Sequence, residues 1–489
     1  MEIAAARVAI PARAAVVRDL GEVVGEAYVF AGLSEMLAYE YDASNITAVP
    51  DLVVLPASAA EVCGVLRVAA RHGLPVIPRG AGTGIAAGAL PIIGGIVVGL
   101  NRMDRILEVD LDNRVAIVEP GLTNIEITRA VTEQGYLYAP DPSSQYASSI
   151  GGNVAHNAGG PHTIAYGVTT NHVLGVELAL ADGTLVRLGG DGADAPGLDL
   201  TGLVVGAEGT FGIITRVWVR LLRRREDVVT LLAVFDDLGR AGEAVTEIIG
   251  RGVGPVALEM MDHNAIQAIE PFVHAGYPLD AAAVLLIEVE GVRDALPRAR
   301  ATVDEICRAH GASDVRTAHT EEERQALWLG RKAAFGTMGR IAVNYYLHDA
   351  VVPRSRLPEV LRGVQQIAAR EGLMLVNMFH AGDGNLHPLI VFDARVPGET
   401  ERVLRAGEDM LRLCVDVGGT ITGEHGVGFE KNNYMPWIYN DADLRAMRTV
   451  KDVFDPDGRM NPWKMFPTPV SYAELLAPRR FPTVGAPWT

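Results

Sequence analysis

The sequence is poor in cysteine and in positive charge. Cys63, Cys307 and Cys414 stand far apart with no C-x-x-C pair, which argues against a disulfide framework, a zinc knuckle or a sequence-local iron–sulfur motif and fits a reducing compartment. Only 43 Lys and Arg face 60 Asp and Glu, a formal charge of −17. Such a surface repels phosphate on average, which disfavours a nonspecific nucleic-acid or anionic-membrane binder; a small acid would need local positive charge. Long apolar runs are missing too. The longest, 89–100, contains Pro91, Gly94, Gly95 and Gly99 and is too short to span a bilayer. At the N-terminus Arg7, Pro11 and Arg13 break the apolar stretch and Asp19 and Glu22 follow, unlike a signal peptide. The expectation is a cytoplasmic protein without a transmembrane segment, with any membrane association peripheral or through a partner.

What is present is enough for large cores. A chain of 489 residues, 49% hydrophobic, suggests about three domains or two large ones. Glycine punctuates short β-rich runs until about 225, after which strands alternate with longer helical stretches, as expected of an α+β unit. Residues 51–102 begin with a β-α-β step: a strand at 52–55, a helix at 58–72 whose Ser58 and Glu61 have capping-box spacing, and a strand at 74–77. Further strands are expected at 95–100, 115–118, 175–180, 185–188 and 212–219. The tail at 455–467 is rich in Pro, Gly and Asp and reads as an ordered turn segment or a return to an earlier domain.

Pro78-Arg79-Gly80-Ala81-Gly82-Thr83-Gly84-Ile-Ala-Ala-Gly88 follows a strand and can present consecutive N–H groups to an anion, because glycine permits close approach and left-handed backbone. Gly82, Gly84 and Ala87 match the G-x-G-x-x-A variant of a dinucleotide fingerprint. A Rossmann loop, however, must open a helix, whereas Gly88 and Pro91 break this segment and a strand begins near Gly95. A different flavin- or nucleotide-binding domain fits better than either a Rossmann fold or a plain surface loop. Glycine clusters at 148–160 and 206–215 are each compatible with ordinary tight turns. Three in one region suit a cofactor of dinucleotide size.

The segment 375–391 contains His380 and His387 around Asp383-Gly384, the preferred pair for a two-residue type I′ turn. Counting outward pairs Gly382 with Asn385, Ala381 with Leu386 and His380 with His387, which would put the imidazoles directly opposite, about 5 Å apart at Cβ. Gly423-Glu424-His425-Gly426 offers a carboxylate and a third imidazole. A His-His-carboxylate set leaves positions open for substrate, and iron, manganese and zinc are all admissible. The residues alone leave open whether Glu424 or His425 binds the ion, and single histidines are commonly structural.

With these motifs the chain resembles the FAD-dependent oxidoreductases of the vanillyl-alcohol oxidase type, and within them the FAD-linked subunit of bacterial glycolate oxidase and the D-lactate and D-2-hydroxyglutarate dehydrogenases. The likeness runs from about 45 to 467. It rests on 78–84, Ala139-Pro-Asp-Pro-Ser-Ser144, Ser149-Ile-Gly-Gly-Asn153, Gly206-Ala-Glu-Gly209, 380–387, Gly423-Glu-His-Gly-Val-Gly428 and Asn461-Pro-Trp-Lys464. The resemblance implies an α+β fold: an N-terminal segment (1–45), a two-subdomain FAD-binding domain (46–225), an α+β substrate cap (226–450) and a C-terminal segment (451–489) returning to the flavin.

By the same resemblance, noncovalent FAD would be held by Arg79, Gly80, Ala81, Gly82, Thr83, Gly84, Ser149, Gly152, Asn153, Glu208, Gly209, Ile214 and Asn461. One divalent metal would be held by His380, His387 and Glu424, leaving His425 as base, with Arg331 on the substrate carboxylate and Tyr346 in the site. Three departures stand out. Gly84 replaces a commoner serine, Trp463 a usual glycine, and Leu389 stands where hydroxyglutarate enzymes carry a polar residue, which weakens a dicarboxylate substrate. The expected activity is oxidation of a small 2-hydroxy acid, glycolate or D-lactate, to its 2-oxo acid. Electrons would pass to an iron–sulfur partner subunit or another external acceptor, since three scattered cysteines cannot build a four-thiolate cluster. The alternative is a non-catalytic flavin- or nucleotide-binding subunit of an electron-transfer assembly.

Overall fold

The computed structural model describes residues 12–190 and 197–476 together with Ile10 and Gly192. Arg7 and Pro11, and the end of the C-terminal segment at 477–489, lie outside the described residues. The chain divides into two units: Met1–Val228, Glu290–Arg293 and Thr422–Pro469 form the first, and Val229–Val289, Asp294–Ile421 and Val470–Thr489 the second. Among the described residues no helix is long and apolar enough to cross a membrane.

Helix α1 (Arg13–Val24) begins the first unit. Strand β1 (Val29–Phe30) pairs antiparallel with β2 (Leu52–Val54). Helix α2 (Ala59–His72) starts where the sequence places it. The Ser58 side chain accepts from Glu61 N, Glu61 reaches back to Ala57 N (2.8 Å), and Gly73 ends the helix at φ 65°. It leads into β3 (Val76–Arg79), and β4 (Ile96–Gly99) lies between β2 and β3, parallel to both. No helix forms between β3 and β4, so the glycine-rich connection stays a loop. A second sheet, antiparallel throughout, has the order β5 (Ile106–Asp110), β6 (Val115–Val118), β9 (Ile213–Arg220), β7 (Val173–Ala179), β8 (Leu185–Gly189). The short helix α3 (Ile150–His156) precedes β7.

The first unit is closed by residues from the far end of the chain. Val76 N donates to Arg459 O, Asn461 N donates to Val76 O, and Met460 is fully buried in the same core as Leu52, Leu66 and Val98. Residues 422–450, expected with the cap, begin in this unit instead: Phe429 N donates to Ala86 O, and the Asn432 side chain donates to Trp463 O.

The second unit alternates β10 (Asp227–Phe235), α4 (Leu238–Gly250), β11 (Ala257–Asp262), α5 (His263–Val273), β12 (Ala283–Gly291), α6 (Leu296–Ala309), β13 (Ala312–Thr317) and α7 (Glu321–Ile341). Strands β14 (Asn344–Leu347), β15 (Ala350–Val351), β16 (Met374–His380), β17 (Asn385–Leu386) and β18 (Pro388–Phe392) complete a nine-stranded sheet. Its main path runs β13-β10-β12-β11-β16-β17-β15, and β18 pairs with both β16 and β14.

Two acidic residues fasten α7 to this sheet. Ala257 pairs with Glu288 and Glu259 with Leu286, so Glu259 and Glu288 share one face. Glu288 is fully buried and accepts from Thr230, from Trp328 Nε1 (2.7 Å) and twice from Arg324 (2.9 and 3.0 Å). Arg324 and Trp328 are one helical turn apart, and Arg331 follows on the same side of α7. The Glu288 contacts therefore set where Arg331 stands. Replacing Glu288 with Ala takes the acceptor from the buried Trp328 indole N–H and one of two carboxylates from the partly exposed Arg324, which keeps Glu321 at 3.2 Å, and should cost about 1–3 kcal/mol, read from the urea midpoint; an unchanged midpoint would show that α7 is held by other contacts.

Candidate active site

Three glycine-rich loops interlock in the first unit. Gly82 sits at φ 72° over the Arg79 guanidinium, and a Cβ on Gly80 would collide with Ser149 Oγ. Ser149 caps α3 by accepting from Gly152 N. Gly209, at φ 71°, lies against Pro78 at 3.0 Å from its Cβ position. Asn461 ties two loops by donating to Gly88 O (3.0 Å) and Glu208 O (2.6 Å).

Most side chains expected to line a cofactor are engaged within the protein. Arg79 donates to Tyr41 O (2.8 Å), and burial depresses its pKa. Asn153 donates to Ser148 and accepts from Asn124. Glu208 accepts from Val427 N and Gly428 N. Ile214 is in the core with Val176 and Leu178. Gly84 and Thr83 lie in the loop itself, Ala81 beside them. What the loops leave for a ligand is backbone plus two buried orphans, Arg79 Nη1 and Asn461 Oδ1. Glycines that a Cβ would fill, with an unpaired donor and an unpaired acceptor, fit an FAD. Lys464, in the same terminal motif, is fully buried and donates to Leu90 O (2.7 Å).

The same unit carries Glu424 and His425. His425 Nε2 is 3.8 Å from Glu424 Oε1, His425 O is 3.0 Å from His156 Nδ1, and Thr422 Oγ1 donates to Gly426 O.

In the second unit the hairpin register differs from the expected one. His380 pairs with Asn385, and Asn377 with Pro388, so the pairing is displaced by two residues and the turn covers 381–384. His380 and His387 are thus diagonal neighbours, not direct partners. An even displacement keeps both on one face, and the rings lie 5.1 Å apart at 86°. Asp383 bonds Asn385 N (3.0 Å), stabilising a wider turn than the Asp-Gly pair suggests.

Each imidazole has a carboxylate on its Nδ1 side. His380 Nδ1 lies 2.8 and 3.0 Å from the Glu259 oxygens, and His387 Nδ1 is 3.9 Å from Asp349. Both carboxylates are fully buried. The His380–Glu259 hydrogen bond is of the kind that orients a metal-binding histidine, whereas Asp349 lies beyond hydrogen-bond reach of His387 Nδ1. Glu259 also accepts from Arg331 Nε (2.7 Å), leaving Arg331 Nη2 buried without a protein partner. Burial alone would push the Glu259 carboxyl up; the charges of His380 and Arg331 overcome it and hold the carboxyl below the usual range. Tyr346 is buried on β14, edge-on to His348 (4.4 Å) and stacked with Tyr472 (6.2 Å). Leu389 pairs with Val376 on the His380 face.

Glu259, Asp349 and Asn385 were missed by sequence reasoning. Glu259 had a signal: it is an acid inside Ala257–Asp262, a strand buried at every position. Asn385 is opposite His380 with Oδ1 buried and unpaired.

Two family models match the chain: an FAD binding domain over residues 50–189 and the C-terminal domain of FAD linked oxidases over 224–465. The chain is 46% identical over 444 residues to the glycolate oxidase subunit GlcD of Escherichia coli (strain K12), covering 91% of this chain and 89% of that one. It is 40% identical over 432 residues to the GlcD of Bacillus subtilis (strain 168), covering 88% and 92%. Among solved structures, 4-ethylphenol oxidase from Gulosibacter chungangensis superposes with a TM-score of 0.78 at 17% identity, covering 94% of this chain and 98% of that one, a likeness of fold.

Burial lowers the Lys464 pKa from 10.5 to about 7, against the attraction of Asp42 and Glu208. Between those values the folded state holds a neutral amine and the unfolded state a charged one, so unfolding takes up a proton and stability rises with pH. The contribution is lost as pH falls towards 7. Lys464→Met should flatten the rise by up to about 1.4 kcal/mol per pH unit. Urea unfolding of both proteins at pH 7.5 and 9 measures it, and parallel slopes would refute it.

Proposed function

The chain belongs to the FAD-linked oxidases, and we propose that it oxidises a small 2-hydroxy acid, glycolate or D-lactate, to the 2-oxo acid and passes the electrons to an external acceptor. The observation that carries this reading is the buried Glu259 bridge, which aligns a guanidinium with a free Nη2 beside an imidazole pair. The names of the two glycolate oxidase subunits described above support glycolate, and the apolar Leu389 supports a small substrate over a dicarboxylate.

In this reading Arg331 takes the substrate carboxylate on its unpaired edge, charge-assisted. His380 and His387 would hold one divalent ion, zinc, manganese or iron, with Glu424 as the carboxylate that the family resemblance assigns to it. His425 takes the hydroxyl proton on an imidazole nitrogen, and Tyr346 packs in the site. Bound FAD would supply the hydride acceptor, and the ion would supply stabilisation of developing alkoxide charge. The glycine loops with Arg79 and Asn461 hold FAD noncovalently, since the first loop has no His or Cys and His156 already engages His425 O. The acceptor is a protein, an iron–sulfur subunit in keeping with relatives named as subunits, or a quinone beyond it. Three buried free thiols suit a reducing cytoplasmic setting.

Anaerobic mixing with a panel of D- and L-2-hydroxy acids tests the reaction. Glycolate or D-lactate should bleach the flavin within turnover time; a flavin that no 2-hydroxy acid bleaches would leave the non-catalytic carrier as the answer. A paired substitution separates metal from base. His380→Ala should lower metal content and bleaching together with FAD retained, whereas His425→Asn should slow bleaching by roughly 10²-fold or more with metal retained. Metal loss in His425→Asn, reversed by added metal, would exchange the roles of Glu424 and His425.

A further inference from the structure

We propose that Glu208 is a positioning residue: its carboxylate latches the loop carrying Glu424 and His425 onto the flavin-binding loops of the first unit. This rests on the reading above that His425 is the base. Val427 N and Gly428 N both donate to it at 2.7 Å, one to each oxygen, and Glu208 is 4% exposed. Two charge-assisted bonds without competing water hold a loop firmly.

The backbone around the latch is arranged for it. Glu208 has φ 51°, between Gly206 at 85° and Gly209 at 71°. Glycine would adopt that conformation without strain, so the position retains a side chain at an energetic cost. The partner loop is shaped to match. Gly426, at φ 84°, has its Cβ position 2.6 Å from His156 Nδ1 and 2.8 Å from Glu208 Oε1, and a Cβ on Gly428 would collide with Ala86 O. His156 closes the other side through His425 O, and Glu208 N donates to Ala155 O. The stretch Ala155-His156, Glu208 and the loop from His425 to Gly428 therefore form one hydrogen-bonded unit, joining residues more than 200 positions apart in sequence.

Glu208→Gln, made in the FAD-loaded protein, tests the latch, because the carboxamide has one acceptor oxygen where two N–H groups converge. FAD content should stay at wild-type level. Amide exchange in a peptide covering 422–431 should rise about tenfold or more while exchange in β7 is unchanged. The limiting rate of flavin bleaching by saturating glycolate should fall on the order of 10²-fold. Loss of FAD in step with the rate would mean that Glu208 acts on the cofactor, and unchanged exchange at 422–431 would mean that the loop is held otherwise; either overturns the proposal. If Glu208→Gln does not fold, Gly426→Ala presses on the latch from the opposite side and must raise exchange over the same peptide, or the proposal fails. A wild-type flavin that no 2-hydroxy acid bleaches would sink the functional reading alone, with the exchange arm still judging the latch.

Discussion

The second unit's site is organised by one carboxylate sealed from water. Glu259 has no exposed surface, and an isolated buried charge is costly enough that its surroundings must supply compensating donors. His380 and Arg331 do so from a strand and a helix that are otherwise unrelated in sequence. Because the carboxylate takes Arg331 at Nε, the Nη2 of that guanidinium is left buried without a protein partner. The α7 helix cannot slide to relieve one contact without disturbing the other, because Arg324 and Trp328 fix it to Glu288.

The first unit uses its polar side chains differently. Arg79, Asn153 and Glu208 brace one loop against another, so the cradle's recognition surface is mostly backbone. Its shape is set largely by side-chain bonds made within the protein. That division explains why positive-φ glycines and buried amides occur together: the glycines permit close approach and the amides prevent the loops from relaxing into it.

Much of this was legible from sequence because it is local. The Ser58 cap, the strands around 96–99 and 115–118, and the absence of a crossover helix after Gly84 follow from spacing over a few residues. The face shared by His380 and His387 was legible too, since period-2 alternation survives an even shift. The register itself was not, because the Asp-Gly pair suggested the tightest turn while Asp383 caps a wider one. Glu259 and Asp349 gain their meaning only from strands and helices brought beside them. The membership of 422–450 in the first unit was equally hidden, since it depends on contacts such as Phe429 with Ala86.

The first unit also has an order of assembly. Its core includes Met460, and β3 bonds residues 459 and 461, yet nearly all of the second unit lies between Val228 and Thr422 in the chain. During synthesis at ~5–20 residues per second, the N-terminal part waits on the order of tens of seconds for its closing strap. Over that interval the second unit is almost fully made and free to fold, while the edge of β3 stays open. A nascent chain stalled before residue 459 would present that apolar edge to chaperones.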